Sequence, residues 1–381
     1  MVYLVYQVYQ IIGDVQLGID PQSPKPLYLQ IIEDIKEKIL THQLKPGDRV
    51  GSHHSMTREY GVSLITVKRA LNELLKDGFL YSRVGKGTYV SQNVYAGSLP
   101  GSGTIGFVLT DFKNPFFTMM LHVIEKYASQ DGFNLLFTYS SDNSVKEESQ
   151  IQQFRNMGVK GLIIASTEHI NEATPAIRQL HRENFPYVMI SYIDNQEIYY
   201  VGTDHEMGAH LAACHFIDLG YRRIGYVNAE KGNHLGNLRQ KGFRRALDEN
   251  GLPWVEKYNF TFPYKRKDYE SGYAVGKQFS EMTDRPEALF FFNDFSALGF
   301  QHAVLERNLA IPEDIAIIGF DDIRNDLRAQ VPLTTVHQPI EEIGRLTIET
   351  LKKCIDGKPV AVRTILKPNL VVRVSSGAVR R

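Results

Sequence analysis

The chain has 381 residues, enough for two or three domains, and its 43% hydrophobic and 23% charged content is that of a folded globular protein, not of a disordered or low-complexity chain. Its 43 Lys plus Arg balance 43 Asp plus Glu, so no global charge marks a polyanion partner. Cys214 and Cys354 lie far apart with no CxxC, which supports neither a disulfide framework nor a cysteine zinc site and fits a reducing cytoplasm.

Residues 1–24 open as MVYLVYQVYQIIGDVQ, without Lys or Arg, and Gln7 and Gln10 interrupt the apolar run. This fits neither a signal peptide nor a membrane span; an extra strand and an upstream mis-assigned start both remain open, and no role is assigned. Residues 25–95 then carry 11 basic and 7 acidic side chains, a modest excess that permits a polyanion partner without proving one. Within 27–42, Leu27, Ile31, Ile32, Ile35, Ile39 and Leu40 recur at helical spacing, and Lys45, Pro46, Gly47 and Asp48 read as a turn. A short helix over 55–60, the turn residue Gly61, and a third helix capped by Ser63 with Val67, Ala70, Leu71, Leu74 and Leu75 on one face give the helix-turn-helix order. Residues 80–83 and 88–90 read as two strands joined through a basic, glycine-bearing tip. A winged helix-turn-helix is predicted over 25–92.

Residues 93–103, NVYAGSLPGSG, replace periodic apolar positions with Gly, Ser and Pro and read as a linker. Beyond it, short apolar runs at 104–109, 134–139, 161–165, 187–191, 223–228, 288–292 and 316–320 alternate with amphipathic helix-length segments, the signature of doubly wound parallel sheets. About 280 residues is long for one such sheet, so 104–381 is predicted to form two α/β lobes around a cleft. The first lobe is placed at about 104–204 and 294–323, the second at about 205–293 and 324–381. Ligands of such folds sit at strand carboxyl ends, where Asp111, Ser166, Ser191, Asn228 and Asn293 fall.

Two resemblances emerge at these residues. PLYLQIIEDIKEKI, LKPGDRV and TREYGVSLITVKRALNELLKDGFLYSRVGKGTYV resemble the GntR-type winged helix over its full length. From residue 104 on, NPFF, VGTDHEMGAHLAACHFIDLGYRRIGYV, RQKGFRRAL, NDFSALGF, IPEDIAIIGFDD and PLTTVHQP resemble the effector core of LacI-type repressors, itself similar to periplasmic sugar-binding proteins. The combination is similar to the arabinose-repressor type of bacterial regulator. It implies a repressor of carbohydrate uptake or catabolism genes that binds operator DNA as a homodimer under control of a sugar-like effector. No cofactor, metal or membrane is implied.

For DNA, the resemblance implies contacts from His54, Ser63, Leu64, Thr66, Lys68 and Arg69, and from Arg83, Gly85, Lys86 and Gly87 at the wing. The same charges on a plain surface helix would be only solvated, and glycines in a hairpin can serve the turn alone. GntR heads usually carry Pro-Ser-Glu-Arg where Gly51, Ser52, His53 and His54 stand, and Arg where Leu64 stands. Leu64 cannot bond guanine in a bidentate manner but can meet a thymine methyl, which implies a different operator. For the effector, the resemblance implies Arg239 and Asp294 as the leading contacts, with Phe116 and Phe117 as an aromatic wall and Ser191, Tyr192, Asp204 and Gln338 along the cleft. Asp204 and Asp294 can equally cap helices, and Phe117 can equally be core.

No HExxH, GxSxG or phosphate loop occurs, so no enzyme is expected. A transport solute-binding protein would need a leader and no DNA head. A GntR protein fused to an aminotransferase would need a larger second fold.

Overall fold

The computed structural model describes residues 23, 25–40, 43–76, 78–83, 86–91, 103–166, 172–192, 194, 197–264, 268–323 and 330–377. Nearly all of 1–24, the linker 93–102 and Gly85 lie outside the described residues. The chain divides into two compact units, one ending at Gly103 and one beginning at Thr104.

The first unit is built on α1 (Leu27–Leu40), β1 (Arg49–Val50), α2 (His53–Tyr60), α3 (Leu64–Lys76), β2 (Leu80–Arg83) and β3 (Gly87–Val90). The apolar positions of α1 and α3 supply Ile31, Ile35, Ile39, Val67, Ala70, Leu71 and Leu74 to one buried cluster closed by Met56, Phe79 and Val90. Ser52 caps α2, its side chain accepting from the Ser55 amide, and Gly61 ends that helix at φ +63°, a left-handed conformation suited to glycine. The hairpin β2/β3 is joined by a third strand: β1 pairs antiparallel with β3, Val50 opposite Thr88. Two residues without an apolar run left that strand unread in the sequence.

The second unit holds two six-stranded sheets. The first orders β14 (Arg363–Leu366), β8 (Tyr200–Thr203), β7 (Tyr187–Met189), β6 (Gly161–Ile164), β4 (Thr104–Leu109) and β5 (Asn134–Tyr139), all parallel. Their faces are covered by α4 (Pro115–Gln130), α5 (Ser144–Asn156) and α6 (Pro175–Arg182). The second sheet orders β10 (Phe260–Thr261), β9 (Ile224–Asn228), β11 (Ala288–Phe291), β12 (Ala316–Asp321), β13 (Thr334–His337) and β15 (Asn369–Val371), parallel except for the β13/β15 pair. Packed on it are α7 (His205–Asp218), α8 (His234–Glu249), α9 (Asp268–Glu281) and α10 (Asp294–Leu305). These are the expected two lobes of doubly wound sheet.

The lobe limits read from the sequence need correcting. Segment 294–323 was expected in the first lobe, yet β12 lies between β11 and β13 of the second sheet and α10 packs there. Conversely, α11 (Ile340–Ile355) returns to the first lobe, where Ile340, Ile343, Ile348 and Leu351 join Phe107, Ile124 and Val201 in one core, and β14 pairs with β8. A parallel sheet accepts a strand from any distance along the chain, so strand order is not encoded in local pattern.

Candidate functional site

A cleft opens between the two lobes. From the first lobe it is walled by Asn114, Phe116 and Phe117 at the start of α4 and by Ser191 and Tyr192 beyond β7; from the second, by His205, Leu235, Arg239, Asn293, Asp321 and Gln338. The aromatic wall follows from local chemistry. The Asn114 side chain accepts from the Phe116 amide, Pro115 fills the first helical turn, and the two phenylalanines meet edge to face at 5.5 Å. Phe117, which lines the cleft, is also part of the first lobe's core.

Arg239 is the cation of the cleft. It is 2% exposed, and its guanidinium lies 3.7 Å from the Phe320 ring centroid and 4.7 Å from that of Phe292. Nη1 donates to the Phe292 carbonyl, Nη2 lies 3.4 Å from His205 Nδ1 and 3.9 Å from Asp321 Oδ1, and Nε, also buried, has no partner among the described residues. Gly242 holds this arginine near His205: a Cβ there would stand 1.9 Å from the Glu206 carbonyl, so only glycine lets α8 and α7 cross at backbone contact. Burial and the Arg239 charge push His205 well below the usual imidazole range, so it is neutral. With Nδ1 accepting from Arg239, the ring proton sits on Nε2.

The remaining polar wall is also pre-oriented. Ser191 Oγ accepts from the Ser166 amide at 2.6 Å, which leaves its own proton to donate, and Ser166 in turn donates to buried Glu147 at 3.0 Å. Gln338 donates to Asp321 Oδ1 at 2.8 Å. Asp321 is held at φ +122°, a strained region for a side-chain-bearing residue, at the end of β12. Asn293 caps α10 through Oδ1 and donates through Nδ2 to Asp268 at 2.5 Å. Burial raises Asp268 to about 6, with Glu230 and Asp111 adding in the same direction. Tyr192 of the first lobe stacks on His234 of the second, centroids 5.5 Å apart and planes at 26°.

Phe116, Phe117, Ser191, Tyr192, Arg239 and Gln338 are thus brought together, and two expected residues are not. Asp204 caps α7, accepting from the Met207 amide at 2.8 Å, and does not wall the cleft. Asp294 is 1% exposed and turned away: Oδ1 accepts from Thr335 Oγ1 at 2.5 Å and Oδ2 from the Ile323 amide at 2.9 Å, beside a separate groove lined by Thr118, Leu298 and Arg373. The cap is taken one residue earlier by Asn293, which leaves Asp294 inside the first helical turn. It also belongs to the same lobe as Arg239, so the two do not face each other across the cleft. His205 was not foreseen as a cleft residue, whereas Asn293 was placed among the strand carboxyl ends where ligands sit; both are neighbours of the aspartates singled out as contacts.

In the head, Ser63, Leu64, Lys68 and Arg69 are exposed along the first turns of α3, with Thr66 half-buried, and His54 is exposed at the start of α2. Arg69 stacks over Tyr28 at 3.9 Å from its centroid. On the hairpin, Arg83 sits over Tyr81 and Tyr89, Lys86 is exposed, and Gly87 adopts φ +115°. No helix among the described residues is long and apolar enough to cross a membrane.

A winged helix and a two-lobed binding core in one chain define a DNA-binding regulator with a small-molecule cleft. Residues 27–90 match the family of bacterial regulatory proteins of the gntR type, and 213–376 match the periplasmic binding protein-like domain. An arabinose metabolism transcriptional repressor from Geobacillus stearothermophilus is 30% identical over 360 residues, 92% of this chain and 98% of the relative. The repressor PurR from Photobacterium profundum is 28% identical over 71% of this chain and 80% of its own. A LacI-family regulator from Enterococcus faecium with bound ribose is similar in structure, with a TM-score of 0.63, 26% identity and coverage of 73% of this chain and 100% of that one. The chain belongs to the family of transcriptional repressors that join a gntR-type head to a LacI-type, periplasmic-binding-protein-like core; it is a DNA-binding transcription regulator.

Proposed function

We propose that this repressor controls genes of carbohydrate uptake or catabolism from the cytoplasm, and that an uncharged sugar in the interlobe cleft sets its affinity for operator DNA. The observation that carries this reading is Arg239, buried, packed against the Phe320 and Phe292 rings, with an Nε that has no partner among the described residues, at a cleft whose other donors and acceptors are held in place. Vicinal hydroxyls satisfy such a set in pairs, and Phe116 offers a face to the C–H surface of a sugar ring. The arginine is already opposed by Asp321, and Asp268, Glu230 and Asp111 add negative charge nearby, which disfavours a phosphorylated sugar. The names of the arabinose repressor and of the ribose-bound regulator support the same class. The role is regulatory, not catalytic.

The operator-bound form is a homodimer in this reading. Its support is β5, the edge strand of the first sheet, whose Phe137 and Tyr139 remain 43% and 45% exposed beside Phe112. An apolar edge of this kind is normally covered. Sedimentation of the whole chain tests the dimer. A thermal-shift screen of pentoses, hexoses, deoxysugars, sugar phosphates and purine bases tests the effector: a ligand at about 100 times its dissociation constant stabilises by about 2.7 kcal/mol. Stabilisation by a purine or a sugar phosphate, with no response to any neutral sugar, would overturn the assignment.

A further inference from the structure

The first turn of α3 exposes two adjacent apolar side chains, Leu64 at 37% and Ile65 at 79%. Ile65 contributes nothing to the head's buried cluster, to which α3 presents Val67, Ala70, Leu71 and Leu74 from its other face. The polar groups of the same turn are engaged with one another. Ser63 Oγ accepts from the Thr66 amide at 3.2 Å, and the Ser63 and Thr66 hydroxyls lie 2.8 Å apart. One cation further along, Arg69, is held over the Tyr28 ring, and Lys68 is a single flexible point charge. The turn therefore has no planar, bidentate donor group to offer a guanine or an adenine.

We infer that this helix reads DNA through thymine methyl groups, with Ile65 and Leu64 each covering the C5-methyl of a thymine in the operator half-site. In the major groove, thymine is the base that presents an apolar group, and an aliphatic side chain is its complement. Lys68 and Arg69 follow the pair along the same helix, and Arg83 and Lys86 are exposed on the hairpin of the same unit; all four supply positive charge that attracts a phosphate backbone. Leu64 alone was suggested by the sequence; the structure adds Ile65 as the more protruding of the two. The inference rests on the DNA-binding role of the head and names the chemistry by which it discriminates.

The test starts from operator sequences selected by the full chain from random double-stranded oligonucleotides. Each thymine of the enriched half-site is then replaced by deoxyuridine, which removes the methyl and leaves base pairing and every hydrogen-bonding group intact. Two adjacent positions should each lose about fourfold in affinity, the worth of one buried methyl. Ile65→Ala should abolish the penalty at one of them and Leu64→Ala at the other, while Ile65→Val should retain it. Both side chains lie on the surface, so circular dichroism of the variants should match the wild type. Enrichment of a sequence in which no deoxyuridine substitution matters, or an unchanged penalty in Ile65→Ala, would overturn the methyl reading while leaving DNA binding intact. Enrichment of no sequence at all would overturn the DNA-binding premise as well.

Discussion

Asp294 offers a test of the buried electrostatics that does not depend on knowing the effector. Its carboxylate accepts from Thr335 and from the Ile323 amide, but burial outweighs both bonds and raises it from an ordinary 3.8 to about 7. An acid with a raised folded value binds its proton more tightly folded than unfolded. Its stabilisation is therefore complete below the ordinary value and is lost as pH rises through about 7. At roughly 1.4 kcal/mol per pH unit, the group supplies a few kcal/mol in acid, and the larger part of this, roughly 2 to 3 kcal/mol, disappears between pH 5 and pH 8. Asp294→Asn fixes the uncharged form, and the Thr335 hydroxyl can rotate to accept from the new amide. The wild-type advantage over this variant should accordingly shrink by roughly 2 to 3 kcal/mol from pH 5 to pH 8. The sole tryptophan, Trp254, packs against Phe243 in the same lobe, so its fluorescence in urea titrations reports the relevant unfolding. Other titrating groups, including Asp268, cancel in the difference. A gap between the two proteins that is the same at pH 5 and pH 8 would refute the assignment of a raised carboxyl.

Three further outcomes are expected. Arg239→Ala should weaken effector binding measured by calorimetry by about 2 kcal/mol, and Arg239→Lys should not restore it, because a point charge cannot stack on Phe320 and bond in several directions at once. Lys68→Ala should weaken operator binding and flatten the slope of log affinity against log salt by about one unit, with an unchanged slope counting against a phosphate contact. Gly242→Ala should destabilise the core by about 1 to 3 kcal/mol, because its Cβ forces α8 off α7, and a wild-type melting temperature would show that the crossing is looser than described.

What the sequence made legible follows from the range of the interactions. The head was readable because its helices carry apolar residues at helical spacing and Gly61 and Ser63 punctuate them. The strands at 104–109, 134–139 and 224–228 announced themselves as apolar runs, whereas β14, holding Arg363 and Thr364, and β15, opening on Asn369, carry no such signal. Arg239 was singled out through the resemblance carried by RQKGFRRAL, and the close crossing at Gly242 gives that spacing a physical reason. Asp294 was misread for a reason that the local sequence does not carry. Asn293 and Asp294 are nearly equal as caps, and the choice between them, which decides which side chain enters the cleft, depends on Gly319 and Thr335 of strands far along the chain.

The return of α11 and β14 to the first lobe bears on how the molecule can be made. A ribosome that has finished β8 has supplied five of the six strands of that sheet, but its outer edge and the apolar surface destined for Ile343, Ile348 and Leu351 stay bare until Leu366 emerges. At about 5 to 20 residues per second that interval lasts roughly 8 to 30 s, during which every strand of the second sheet except β15 is synthesised. The first lobe of the nascent chain is thus the part exposed longest to chaperones and to association with neighbouring copies. Truncation anywhere before Leu366 strips the closing strand from the first lobe, the one that was begun earlier.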